Sequence, residues 1–204
     1  MQTTGLKIVT LVTLAASLSG CGVIMGPDLA TRPSPFHGAV TMTDDEGHQV
    51  AALSPSDQGD TAVVDFSGVN GKPVSFKANI TYRAFVPIVA ETNAERRDYW
   101  LVGFNASQTA DRSYYIVLRY PHAQPLAVHT TAKAELKVLV CDPPKHVAAT
   151  TPSAQAPADA SATSDPILSE GISVCLTEKD AVYAAALDAA KDTDDWTQVT
   201  ITTP

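Results

Sequence analysis

The chain has 204 residues, a formal net charge of −8 at pH 7 and an isoelectric point of about 4.9. A surface this acidic is repelled by nucleic acid and by bare anionic lipid, which argues against nucleic-acid binding. The length suffices for one domain with a buried core, and because only 6% of the residues are aromatic, Val, Ile, Leu and Ala must supply most of it.

The first twenty residues have the three parts of a secretory signal. Residues 1–7 carry one basic side chain, Lys7, and residues 8–16 form an apolar run. Such a run fits the roughly 7–15 residues of a signal peptide and falls short of the roughly 20 that a membrane-spanning helix needs. The sequence Leu18-Ser19-Gly20-Cys21 follows, and its small residues leave the backbone before Cys21 open to a peptidase.

This arrangement resembles the lipobox of bacterial lipoprotein precursors. The resemblance covers residues 1–22 and implies that residues 1–20 are a cleaved signal peptide and that Cys21 carries acyl chains such as palmitate. Two or three acyl chains attach a protein stably to a membrane. Gly rather than Asp at position 22 implies the periplasmic face of the outer membrane, if the cell is Gram-negative. The alternative is an ordinary secreted protein in which Cys21 is incidental.

Cys141 and Cys175 remain once Cys21 is assigned to lipid. An even pair in an oxidising compartment predicts one disulfide bond. The bond would close a loop of about 35 residues and stabilise the fold by roughly 3–4 kcal/mol in the chain-entropy model. A metal pair and a reactive thiol are the alternatives, but no neighbouring His or CxxC spacing supports either.

The mature chain divides into a tether and one folded domain, with a net charge of −9 after loss of Lys7. Residues 21–36 contain three prolines, which block regular structure, and predict a flexible tether. Packing of residues 23–25 against the membrane or the domain is the alternative. Residues 37–204 are predicted to form a single β-rich domain. Within it, residues 142–169 are rich in Ala, Pro, Ser and Thr and predict a disordered loop.

Alternating apolar and polar residues predict that most of the domain consists of short strands. The clearest pattern runs from Val74 to Ala84, where one parity is apolar and the other polar, as in a strand covered on one side. Pro87 indicates that the continuation of this strand lies at an edge or a bend. Further strands are predicted at residues 39–42, 49–53, 61–66, 99–104, 113–120, 133–140, 172–176 and 196–203.

One helix is predicted near the C-terminus. Thr177 and Asp180 resemble a capping box, and the Ala-rich residues 181–190 favour a helix. One helix face is small and apolar and could lie on a sheet: Val182, Ala185, Ala186 and Ala189. The elements together predict a mainly β (α+β) domain, either an antiparallel β-sandwich or a barrel-like fold with one C-terminal helix.

The chain offers no recognisable catalytic or metal-binding motif. The serines lack a G-x-S-x-G or S-x-x-K pattern, and the acidic runs at residues 44–46 and 57–60 lack the spacing of a calcium loop. The histidines have no helical metal-site spacing: His37, His48, His122, His129 and His146. We therefore predict no catalysis, no metal and no cofactor, and interpret these residues as solvated loop positions.

Residues 95–100 form the one local constellation that could bind a partner. Arg, Tyr and Trp dominate binding hot spots, and a pair of Arg can hold carboxylates. Arg96, Arg97, Tyr99 and Trp100 are therefore the predicted partner-binding residues. The alternative is an exposed charged turn that leads into a core strand in which Trp100 is buried.

These features predict a lipid-anchored cell-envelope protein that binds a protein partner, as an assembly component or recognition module. Its acyl chains would make the membrane a second partner. An alternative is a periplasmic inhibitor or immunity lipoprotein that blocks a cell-wall hydrolase or toxin, because an acidic surface complements basic wall-degrading enzymes. A third hypothesis is an envelope hydrolase whose catalytic residues come together only in the fold.

Overall fold

A computed structural model describes residues 22–29, 34–36, 38–54, 60–67, 73–87, 96–105, 111–122, 130–141 and 174–203. These residues form eleven strands and one helix. The strands are β1 Gly22–Pro27, β2 Val40–Thr43, β3 Gln49–Ser54, β4 Thr61–Ser67, β5 Pro73–Phe85, β6 Arg97–Asn105, β7 Arg112–Pro121, β8 Thr131–Val138, β9 Val140–Cys141, β10 Val174–Leu176 and β11 Thr197–Thr202, and helix α1 is Lys179–Lys191. The predicted signal peptide, Cys21 and the predicted loop at residues 142–169 lie outside the described residues.

Eight strands close into a barrel. They follow one another in the order β2-β3-β4-β5-β6-β7-β8-β11, and β11 pairs with β2 to complete the circuit. Every pairing around this circuit is antiparallel. The predicted mainly β fold with one C-terminal helix is confirmed, and the barrel is the architecture observed.

Side chains fill the lumen of the barrel. Alternate residues of a strand point to opposite sides, so each barrel strand gives one parity to the lumen and the other to the outer wall. An eight-stranded barrel has an interior just wide enough for side chains to fill. The lumen is packed with buried aliphatic and aromatic residues: Val40, Met42, Leu53, Ala78, Ile80, Tyr82, Val102, Leu118, Tyr120, Val199 and Ile201.

Two segments from before the barrel strands cover its two ends. Phe36 meets Tyr82 edge-on, with ring centroids 5.9 Å apart, at the end where β5 finishes. Val23 and Met25 of β1 pack with Tyr114 at the opposite end. Residues from outside the barrel circuit thus extend its apolar interior at both ends.

Strand β1 lies across a fork between β7 and the chain that follows β8. Its first half pairs with β9 and its second half with the start of β7, while β10 pairs with it in parallel. At the fork, Ile24 donates its N–H to the Leu139 carbonyl at 2.9 Å, and Leu139 donates its own N–H to Tyr115 at 3.0 Å.

This strand corrects the flexible tether predicted for residues 21–36. Residues 22–26 are all buried, so residues 22–27 form a core strand instead of a tether. Residues 23–25 pack against the domain, as the alternative prediction stated. The tether prediction rested on the prolines. Only Pro27 lies in the strand, at its last position, where it pairs with Arg112.

Helix α1 packs on the outer wall of the barrel. Val182, Ala186 and Ala190 are buried, in a layer that includes Leu101 and Val117. No helix among the described residues is long and apolar enough to cross a membrane.

The helix begins later than the predicted capping box. Thr177 donates its N–H to the Met25 carbonyl at 2.9 Å, so the chain is still paired with β1 at that point. Glu178 is the N-cap, with an extended backbone and no side-chain capping bond. The capping box of Thr177 and Asp180 is therefore wrong, because strand pairing occupies the residue that would have capped the helix.

Candidate functional site

The four residues predicted to bind a partner do not share one surface. Tyr99 is only 4% exposed and lies in the apolar layer that contacts α1. Trp100 packs against the lumen residues and donates its indole N–H to the Tyr120 hydroxyl at 3.1 Å. The alternation of β6 separates the two rings, so Tyr99 and Trp100 are removed from the predicted surface, which leaves Arg96 and Arg97.

Arg97 belongs to a polar cluster on the outer wall, which we call the arginine–tryptophan cluster. The members of the arginine–tryptophan cluster are Arg97, Arg119, Glu135, Trp196 and Gln198. Strand register brings them together: Arg119 pairs with Glu135 between β7 and β8, and Glu135 pairs with Gln198 between β8 and β11. Glu135 accepts a hydrogen bond from Arg119 Nε at 2.5 Å and one from Gln198 at 2.5 Å. Arg97 Nε lies 3.7 Å from the same carboxylate.

Trp196 holds the other side of Arg119. The guanidinium carbon lies 3.7 Å from the centroid of the indole ring, the geometry of a cation–π contact. The indole N–H donates to the Asp192 carbonyl at 2.8 Å, which fixes the ring. Arg119 is 7% exposed. The guanidinium charge is thus buried between a carboxylate and an aromatic face. A charge in a protein interior needs compensating partners of this kind.

The electrostatics of Glu135 follow from these contacts. Partial burial alone would raise its pKa, but the hydrogen bonds from Arg119 and Gln198 and the charges of Arg119 and Arg97 outweigh this, and the pKa of Glu135 lies below its usual value. The carboxylate is therefore ionised at neutral pH and compensates two arginines. The cluster is therefore a patch of paired charges held by strand register.

Lys137 connects the cluster to the segment between α1 and β11. Its ammonium group lies 2.7 Å from the Asp192 carboxylate and 2.7 Å from the Asp194 carbonyl, and 5.8 Å from the Trp196 ring. The hydrogen bond from Lys137 lowers the pKa of Asp192. These contacts fix the turn that carries Trp196.

A second polar cluster fastens the end of β1 to β6 and β7. The Asp28 carboxylate accepts hydrogen bonds from Ser113 at 2.5 Å and from Asn105 at 3.1 Å. The Tyr115 hydroxyl donates to the Pro27 carbonyl at 2.5 Å. Burial, followed by the negative charge of Asp28, raises the pKa of Tyr115. Because Ser113 is fully buried and Asn105 nearly so, we assign this cluster a structural role.

The predicted disulfide between Cys141 and Cys175 is confirmed, with Cα atoms 6.5 Å apart. Cys141 pairs with Gly22 and Cys175 with Ile24, so the bond joins the two short strands that pair with β1. It therefore clamps β1 in addition to closing a loop.

The described histidines sit at exposed positions beside acids. His48 Nδ1 lies 3.3 Å from Asp44 and 3.5 Å from Glu46 in the β2–β3 turn. His122 Nδ1 lies 2.9 Å from Asp98. No group of three or more His, Cys, Asp or Glu in the described part of the chain could hold a metal ion. His37, His129 and His146 lie outside that part.

A shallow recess of about 350 Å³ lies against β3, β4 and β5. Its lining is small and mostly uncharged: Ser54, Thr61, Ala62, Val63, Lys77, Ala78 and Asn79. It brings together neither a nucleophile with a base nor a pair of acids.

Sequence reasoning missed Arg119, Glu135 and Trp196 as a unit, because only strand register unites them. One signal was present: Arg119 interrupts the apolar run of β7, and an internal charge requires a partner. No family model, curated protein or solved structure matches the chain.

Proposed function

We propose that this chain is a lipid-anchored envelope protein that binds a protein partner on the outer wall of its barrel and performs no catalysis. The lipobox ending at Cys21 supports the anchor, and Gly22 supports the periplasmic face of the outer membrane of a Gram-negative cell. The observation that carries the binding role is the arginine–tryptophan cluster, since it holds arginines in fixed positions at an accessible wall.

The filled lumen supports an outer binding surface. Small-ligand barrels keep an internal cavity, whereas here Leu118 and Ile201 pack the middle of the lumen with no exposed surface. This packing supports a binding surface on the outside of the barrel.

Arg97 is the accessible edge of the cluster, and Arg96 directly precedes it at the start of β6. The side chain of Arg97 is 36% exposed beside Glu135, and Arg96 is exposed. A partly held arginine loses less conformational freedom on binding than a free one. A partner with acidic side chains opposite this edge fits the charge and the bidentate geometry of guanidinium groups.

The test is affinity capture from envelope extract with the full-length lipidated protein, followed by mass spectrometry. We expect the double variant Arg96→Gln, Arg97→Gln to lose the partner retained by the wild type. The matched control is Lys77→Gln, Lys179→Gln, which removes the same charge from exposed positions elsewhere. Equal retention by both double variants would contradict the proposed surface. Absence of acyl chains on Cys21, measured by mass spectrometry of the N-terminal peptide, would contradict the anchor.

A second candidate function is inhibition of a basic cell-wall hydrolase or toxin, and the exposed acidic turn between β2 and β3 favours it. Asp45 and Glu46 are exposed there, while Asp44 holds the turn by accepting the backbone N–H groups of Glu46 and His48. A rigid acidic turn could enter a basic cleft. Capture of a hydrolase whose inhibition is lost in Asp45→Asn, Glu46→Gln but kept in Arg96→Gln, Arg97→Gln would favour this function over the first.

A further inference from the structure

Almost no unpaired chain separates the predicted lipid anchor from the folded barrel. Gly22, the residue after Cys21, is already buried in β1 and pairs with Cys141. One residue of extended chain spans only about 3.5 Å. An acyl group on Cys21 would therefore hold this end of the domain within a few ångströms of the lipid headgroups.

Strand β1 is held too firmly to pull away as a tether. It pairs with β7, β9 and β10, and the Cys141–Cys175 bond joins the last two of these strands. The Asp28 and Tyr115 hydrogen bonds fasten its far end. Releasing β1 would open this sheet and uncover the end of the barrel.

Exposed apolar side chains flank β1. Val140 in β9 is 43% exposed and pairs with Val23, and Leu176 in β10 is 67% exposed and pairs with Met25. Paired residues in a ladder point to the same side of a sheet. Val140 and Leu176 therefore lie on the same side of this small sheet, beside the point where the chain arrives from Cys21.

The distribution of exposed apolar residues supports a special role for this end. The large hydrophobic residues that are exposed in the described part of the chain are Val86, Val140 and Leu176. Val86 follows the end of β5, at the opposite end of the barrel. Two of the three thus lie next to the first residues after the anchor.

We propose that Val140 and Leu176 dock onto the surface of the lipid bilayer, so that the barrel stands on the membrane in one orientation with β9 and β10 against it. This inference rests on the proposed lipid anchor. The occupant is the lipid surface because the chain that precedes Gly22 ends here and is predicted to carry acyl chains. The contact is apolar, so it does not require attraction between this acidic protein and anionic lipid.

The test uses lipidated full-length protein in vesicles that contain brominated phosphatidylcholine, which quenches tryptophan fluorescence on contact. Leu176→Trp places a reporter in the proposed contact, and Val86→Trp places a matched reporter at an exposed position on the far end. Both are compared with the wild type, which supplies the background of Trp100 and Trp196. We expect the added fluorescence of Leu176→Trp to be mostly quenched and that of Val86→Trp to be unchanged.

A third variant separates docking from simple attachment. A flexible Gly/Ser linker inserted between Cys21 and Gly22 in the Leu176→Trp protein leaves the anchor intact and adds reach. If the apolar contact is favourable in itself, quenching persists with the linker and falls when Val140→Ser is added.

The outcomes distinguish this proposal from the proposed function. Equal quenching of Leu176→Trp and Val86→Trp, or quenching of neither, in protein whose acylation is verified by mass spectrometry overturns the docked orientation and leaves the anchor standing. Protein that carries no acyl chain overturns both. Circular dichroism of each variant identifies any loss of fold before the quenching is compared.

Discussion

Arg119 is a cation inside the apolar run of β7, and its neighbours explain how the strand tolerates it. Val117 and Leu118 before it have no exposed surface. Arg119 itself points outward, where Glu135 neutralises it and Trp196 covers one face of the guanidinium. A buried ion pair often adds little net stability, but removal of one partner leaves an uncompensated charge.

We therefore expect Glu135→Ala to lower the free energy of unfolding by about 3 kcal/mol, because Arg119 would remain buried without its carboxylate. Urea unfolding followed by circular dichroism measures the change. The control is Asp188→Ala, which breaks an exposed pair with Lys191 at 3.0 Å and should cost less than about 0.5 kcal/mol. Equal effects of the two substitutions would contradict the buried charge pair.

The lowered pKa of Glu135 predicts a pH dependence. A carboxyl whose folded pKa lies below its unfolded value binds more protons when unfolded, so its stabilising contribution is present above the unfolded pKa, 4.5, and is lost as the pH falls through the folded value. We expect the stability difference between the wild type and Glu135→Gln to be constant near neutral pH and to shrink below pH 4.5. Urea unfolding across that range measures it, and a difference that grows on acidification would contradict the assignment.

At the scale of elements, α1 and β1 approach closely because Gly26 has no side chain. A Cβ at this position would collide with the Val182 side chain and lie 3.4 Å from the Tyr115 ring. Val182 is β-branched and fully buried, so it cannot rotate away easily. The contact sets the distance between the helix and the strand that follows the predicted anchor.

We expect Gly26→Ala to destabilise the fold by about 1–3 kcal/mol through this overpacking. The added substitution Val182→Ala makes room for the new methyl group. The double variant should therefore lose less stability than the two single variants lose together. A double-mutant cycle from urea unfolding measures the coupling. Strict additivity would show that the helix and β1 do not press on each other at this point.

At the scale of the whole molecule, the barrel depends on its last strand. β11 pairs with β8 on one side and with β2 on the other, so the circuit closes only when the C-terminal residues are in place. Val199 and Ile201 of this strand have no exposed surface. Without β11 the lumen would open and two strand edges would be exposed.

Deletion of residues 197–204 should therefore abolish the folded monomer and favour aggregation through the freed edges of β2 and β8. Size-exclusion chromatography with circular dichroism measures this. Deletion of residue 204 alone is the control, since it leaves all of β11. A monomeric, folded product of the longer deletion would contradict the closing role of β11.

The sequence predicts local features of this molecule better than its long-range contacts. The alternation from Val74 to Ala84 correctly indicated β5, because one parity faces the lumen. It could not distinguish a sandwich from a barrel, since closure depends on pairing between β2 and β11. Sequence reasoning also predicted a tether in place of β1 and missed the arginine–tryptophan cluster. Those depend on partners that are distant in the chain, such as Gly22 with Cys141 and Arg119 with Trp196.

The position of β1 also orders the events of biogenesis. In the proposed exported precursor, this strand would leave the export machinery before any of its partners, since Cys141 follows Gly22 by 119 residues. A peptidase and an acyltransferase need access to an unpaired backbone beside Cys21, and Gly22 is no longer accessible once β1 has paired with β9. Processing of the precursor, if it occurs as proposed, must therefore finish before β1 pairs with β7, β9 and β10. Folding would then limit the time during which Cys21 can be lipidated.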